Sequence, residues 1–136
     1  MSNSENIEKR LETIGIQLPT PPTPMGAYVP AVQSGNLVFC SGQGPIEDGK
    51  PAYVGRVGSD VTLEQGYEAA KIAAINCLAQ IRTLIGSLDT ITRVVQVRGF
   101  VNSAPDFHDQ PKVINGASEF LLEDFGDAGK HARAAL

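Results

Sequence analysis

The spacing of apolar residues changes along this chain, and each change marks an element. Ile7, Leu11 and Ile14 recur at helical intervals after Ser4, with Gly15 as a stop, which predicts a short N-terminal helix. Pro19, Pro21, Pro22 and Pro24 then make a stiff, non-helical linker that carries the chain across a surface. Residues 1–25 therefore read as an N-terminal helix and Pro-rich linker attached to a core of residues 26–136.

The core opens with strands. Tyr28 to Gln33 and Leu37 to Ser41 flank Ser34-Gly35-Asn36, a turn suited to a tight hairpin. Leu37-Val38-Phe39-Cys40 has no polar alternation, which predicts burial on both faces. Gly42, Gly44 and Pro45 end that strand in a loop, and Asp48-Gly49 marks another turn. Thr62 with Gln65 forms a capping-box pattern before the longest helical stripe: Leu63, Gly66, Tyr67, Ala70, Ala74, Cys77, Leu78, Ile81 and Ile85, closed by Gly86. Thr92 to Val101 is β-branched and alternating, with Val95, Val97 and Val101 on one face. Pro111 suits the first turn of a second long helix, with Ile114, Ala117, Phe120, Leu121 and Phe125 as its apolar stripe and an end near Gly126. A last strand begins at Arg133, close to the final residue, Leu136.

This order predicts an α+β domain in which two helices cover one face of a four- to five-stranded mixed sheet. The opposite face keeps its apolar residues uncovered, which argues for a partner subunit. With 136 residues there is room for one domain, and 42% hydrophobic residues suffice for a core. The net charge of −4 and the lack of any Lys/Arg run argue against nucleic-acid binding. Cys40 and Cys77 sit inside apolar runs and read as small buried hydrophobes rather than a disulfide, inert to thiol reagents in the native state. The two histidines, His108 and His131, share no ligand spacing with them, so no metal is expected. Ser2, Asn3, Ser4 and Glu5 make a polar, acidic start unlike a signal peptide, and no apolar run reaches membrane-spanning length. A cytoplasmic protein without membrane contact is the expectation.

Five short motifs occur in one order: Gly26-Ala27-Tyr28, Ser41-Gly42-Gln43 with Pro45, Asp106-Phe107, Asn115 and Ala132-Arg133. In this the chain resembles the RidA/YjgF-like family of reactive-intermediate imine deaminases over roughly residues 26 to 136. The resemblance implies a chorismate-mutase-like fold and a homotrimer with three clefts between subunits. It also implies hydrolysis of 2-imino acids, or their 2-enamine tautomers, to 2-keto acids and ammonium without a cofactor. Other members bind small molecules or carry a ribonuclease or translation-inhibitor label.

Carried over residue by residue, Arg133 matches the arginine that holds the substrate carboxylate, a role suited to a guanidinium fork. Tyr28 matches the cleft tyrosine, placed with Arg133 in the catalytic set. Asn115 matches a helix asparagine that points into the cleft, and Gly42 a position where backbone approaches the ligand. Three departures stand out. Ala135 occupies a position that is often cysteine, and His131 stands where proline is usual. The family also continues with a strand and an acid that orients water, whereas this sequence stops at Leu136. His131 would share the strand face of Arg133 and offers a substitute for proton transfer. Arg133, three residues from the terminus, is expected to fray, with weak deamination as the result. A non-catalytic small-carboxylate binder or interaction module is the rival reading. A ribonuclease comes third, disfavoured by the acidic balance.

Overall fold

The computed structural model describes residues 6–136, so Ser4 and the polar start lie outside the described residues. Helix α1 (Ile7–Thr13) is capped by Asn6, whose side chain accepts from the Lys9 amide. Gly15 ends it with φ +80°, a conformation that favours glycine. Strands β1 (Ala31–Ser34) and β2 (Leu37–Cys40) form the expected antiparallel hairpin around Gly35-Asn36. A second, smaller hairpin joins β3 (Ile46–Glu47) to β4 (Lys50–Pro51). Its Asp48-Gly49 turn has positive φ at both residues, the pairing a type I′ turn needs.

Helix α2 (Leu63–Ile85) starts at a complete Thr62/Gln65 capping box and ends at Gly86. A 3-10 turn (Leu88–Thr90) leads to β5 (Gln96–Gly99). Helix α3 (Gln110–Phe125) has Pro111 in its first turn and Gly126 at its end. After a second 3-10 turn (Gly126–Gly129), β6 (Ala132–Ala135) pairs in parallel with β5.

The class is α+β, as expected, with two long helices against strands. The sheet differs in detail: among the described residues the named strands form three two-stranded ladders, not one continuous sheet. Among the described residues no strand exceeds four residues, and the strands lean on the long helices. Strands β1, β2 and β3 pack on α2, while β6 packs on α3.

The two long helices meet closely because glycine stands at the crossing. A Cβ on Gly116 would lie 1.9 Å from the Tyr67 carbonyl oxygen. Around this contact Ala74, Leu78, Ala117, Phe120, Leu121 and Phe125 are buried, and the expected α3 stripe is the one observed. Leu11 and Leu18 enter the same core, so the N-terminal helix and linker share it with the residues that follow. Glu8 secures the arrangement by pairing with Arg82 at 3.0 Å and accepting from the Leu88 amide at 2.9 Å.

Three expectations about burial need correction. Leu37-Val38-Phe39-Cys40 is not buried on both faces: Val38 and Cys40 are half-buried, whereas Phe39 is 56% exposed. Helix α2 packs on this hairpin, while Val32, Leu37 and Phe39 stay exposed. Val95 does not join Val97 and Val101 but is 58% exposed, while Val94 and Val97 pack inward. The strand begins only at Gln96, and its alternation does not extend back through Val95. Finally, α2 buries Ile72, Asn76, Ala79 and Gln80 beyond its apolar stripe. The loop after β2 and the Pro-rich segment cover that second face and accept hydrogen bonds from the two amide side chains.

Candidate functional site

Arg133 does not fray. Strand β6 is registered on β5 with Arg133 opposite Val97, and the ladder continues beyond it. The Leu136 amide donates to the Gly99 carbonyl at 2.9 Å, and the Val101 amide donates to the Leu136 carbonyl at 2.8 Å. The expectation that nothing ties this segment down is thus overturned, because parallel pairing supplies bonds that a sequence does not display.

From this strand the Arg133 side chain reaches α3. Its Nη1 donates to Asn115 Oδ1 at 2.7 Å and to Ser118 Oγ at 3.2 Å. Asn115 and Ser118 lie three apart on α3, so both present their oxygens to one guanidinium nitrogen. Among the described residues no carboxylate pairs with Arg133, which remains exposed at the surface. One nitrogen of the guanidinium is therefore anchored, and Nε and Nη2 make no hydrogen bond among the described residues, which leaves donors for a planar anion.

His131, two residues earlier, extends this cluster in a way different from the one expected. Its Nδ1 faces the Gly129 carbonyl, and its Nε2 lies 2.9 Å from Ser118 Oγ. A carbonyl only accepts, so Nδ1 carries a proton, and Nε2 shares a hydrogen bond with the Ser118 hydroxyl. Ser118 is buried and can then receive the Arg133 bond on a free lone pair. Both ring nitrogens are engaged, so His131 orients Ser118 rather than standing free for proton transfer. Ser118 is the residue the sequence reading missed. Its only signal was a serine three residues after Asn115, on the helix facing the arginine strand.

Tyr28 and Gly42 form a second locus, at the hairpin. The Tyr28 amide donates to the Gly26 carbonyl at 3.0 Å, and the tyrosine ring folds over Gly26, where a Cβ would come within 3.1 Å of it. Tyr28 is 52% exposed. Ser41 links this turn to the Gly42 loop, because its hydroxyl donates to the Val29 carbonyl at 2.6 Å and its amide to that of Pro30 at 2.8 Å. On the other side of Gly42, the buried Asn76 side chain donates to the Gly44 and Ile46 carbonyls at 2.9 and 3.0 Å. Gly42 itself is exposed, with open space where a Cβ would stand. Asn76 was also missed, since a mid-helix asparagine next to an apolar stripe gives no hint of the loop it holds.

The four expected site residues thus fall into two groups. Arg133 and Asn115 are brought together on β6 and α3, while Tyr28 and Gly42 belong to the hairpin and the loop after it. Among the described residues, no group of three or more His, Cys, Asp or Glu side chains is placed to hold a metal ion. No described helix is long and apolar enough to cross a membrane.

The chain belongs to the family described as "YjgF/chorismate_mutase-like, putative endoribonuclease", whose profile matches residues 8–136. Among its relatives is protein TCP17 of Trypanosoma cruzi, 38% identical over 98% of this chain and 84% of that protein. The crystal structure of Atu1372 from Agrobacterium tumefaciens, a protein of unknown function, superposes with a TM-score of 0.87. It is 46% identical over 96% of this chain and 80% of its own. A "putative endoribonuclease" from Shewanella oneidensis superposes with a TM-score of 0.92, at 36% identity over 95% of this chain and 85% of its own.

Proposed function

We propose that this protein hydrolyses reactive 2-imino acids and their 2-enamine tautomers to 2-keto acids and ammonium, as a homotrimer with its sites between subunits. The observation that carries this reading is Arg133, held at Nη1 by Asn115 and Ser118 with Nε and Nη2 unbonded among the described residues. A guanidinium fixed in this way binds a planar carboxylate through two parallel bonds and loses little freedom in doing so. An imine carbon beside that carboxylate is already electrophilic, so holding it near water is most of the task. Water adds to the carbon, its proton passes to nitrogen, and the carbinolamine collapses to the keto acid with departure of ammonia. No cofactor enters this sequence.

Tyr28 and the Gly42 loop complete the cleft when contributed by a neighbouring copy. The apolar residues left open on the hairpin supply a surface for that neighbour. Tyr28 then lines the cleft near the attacking water, and Gly42 lets backbone approach the substrate.

The test is ammonia release from a 2-imino acid generated in situ by an amino-acid oxidase, with and without the protein. Acceleration above the spontaneous rate is expected. Arg133→Lys should weaken carboxylate binding by about 1.5–3 kcal/mol, the range for hydrogen bonds to charged groups. Binding of a keto acid without any rate above background would favour the binder reading. Cleavage of RNA without ammonia release would favour the endoribonuclease.

A further inference from the structure

Cys40 and Cys77 lie apart from the arginine cluster, and the packing of β2 on α2 sets them against each other. Cys40 Sγ is 3.8 Å from the Cys77 carbonyl oxygen and 3.3 Å from that of Ser41. The Cys77 thiol is close enough to influence the titration of Cys40. Both are half-buried and unbridged, so neither is the sealed packing residue that its apolar neighbours predicted. Strand alternation turns Cys40 toward α2 and Phe39 the opposite way. A second subunit covering Phe39 would therefore leave the pair untouched.

The two sulfurs are not equivalent. The hydrogen bond from Cys77 holds the Cys40 thiol below the ordinary cysteine value, and burial opposes this only in part. Cys77 is pushed upward, first by that hydrogen bond, then by burial and by the charge on Cys40. Of the two thiols, Cys40 therefore gives up its proton the more readily.

We propose that Cys40 and Cys77 form a reversible intramolecular disulfide on exposure to peroxide, with Cys40 as the attacking sulfur and Cys77 as the resolving one. In the first step the Cys40 thiolate attacks one peroxide oxygen. The O–O bond breaks, and Cys40 becomes a sulfenic acid as hydroxide leaves and takes a proton to form water. In the second step the Cys77 sulfur attacks Cys40 sulfur, the S–O bond breaks, and the departing hydroxide takes the Cys77 proton as a second water. Two thiols lose two electrons and two hydrogens, and one peroxide becomes two waters. The product ties the last residue of β2, and with it the start of the Ser41-Gly42-Gln43 loop, directly to α2. Asn76 of α2 already holds the far end of that loop at Gly44. Oxidation thus fixes the Gly42 loop at both ends, whatever substrate the cleft takes.

The full-length protein is treated with hydrogen peroxide, quenched with an alkylating agent and analysed by intact mass and non-reducing peptide mapping. A loss of two hydrogens, a Cys40–Cys77 linked peptide and recovery of both thiols with dithiothreitol are expected. In Cys77→Ser, and equally in Cys77→Ala, Cys40 should accumulate as a sulfenic acid trapped by dimedone. The proposal is overturned if wild-type Cys40 is driven to sulfinic acid with Cys77 free. A bridge only between subunits, or two unmodified thiols, would overturn it as well.

Discussion

The helical side and the strand side of this molecule bury their apolar residues by different means. On the helical side Leu11, Leu18, Leu78, Leu88, Phe120 and Phe125 close on one another, and Leu88 has no exposed surface at all. On the hairpin Val32 stands opposite Phe39, and the two remain 50% and 56% exposed. Three helices and two turns complete one layer, whereas strands of four residues supply only half of another. The helical side is closed by the chain itself, and the hairpin is where the proposed second copy would sit. The candidate site shows the same division, with Arg133 and Asn115 assembled by the chain itself and Tyr28 with Gly42 set on the open hairpin.

The sharpest way to break this contrast is at assembly. Light scattering should give three times the chain mass of 14.4 kDa. Phe39→Asp should reduce it to the monomer by placing a charge where apolar surface must be covered. A wild-type monomer at micromolar concentration would show that the open face is not an interface and would remove the proposed cleft.

A smaller effect belongs to the closed side. Gly116→Ala puts a methyl group onto the Tyr67 carbonyl, so α2 and α3 must separate at their crossing. Overpacking of this kind costs about 1–3 kcal/mol, and thermal unfolding should register it as a clear drop in Tm. An unchanged Tm would mean that the helices are not locked at this point.

The mildest prediction concerns Asp124, a buried carboxyl on the closed side whose oxygens have no hydrogen-bond partner among the described residues. Burial, followed by the Glu8 charge, pushes its pKa up to about 7, while Arg10 acts in the opposite direction. The folded value lies above the unfolded one, so the native state binds the extra proton between them. Stability from this group is therefore present below about pH 4 and is lost as pH rises toward 7. Asp124→Asn should gain stability relative to wild type on going from pH 5 to pH 8, as read by paired melting curves. A difference that stays constant with pH would show that this carboxyl does not titrate in that window.

Much of the local structure was legible in the residues. The Thr62/Gln65 box, Pro111, Gly35-Asn36 and Asp48-Gly49 each act through their own backbone or that of near neighbours, so local chemistry is enough to place them. The α3 stripe was legible for the same reason, since a period of three and four records which face packs. The family was also readable, because short motifs keep their order along a chain.

What the sequence by itself determined was therefore the helices, the turns, the α+β class and the residues available to a site. Only the tertiary structure decided that Arg133 is tied by a parallel ladder, that Ser118 and Asn115 grip it, and that His131 is occupied at both nitrogens. It also decided that Asn76 holds the Gly42 loop and that Phe39 is left open. Apart from the bond of His131 to the Gly129 carbonyl, these depend on partners 13 or more residues away or, for Phe39, on a covering layer, and side-chain periodicity carries no information about what lies across the gap.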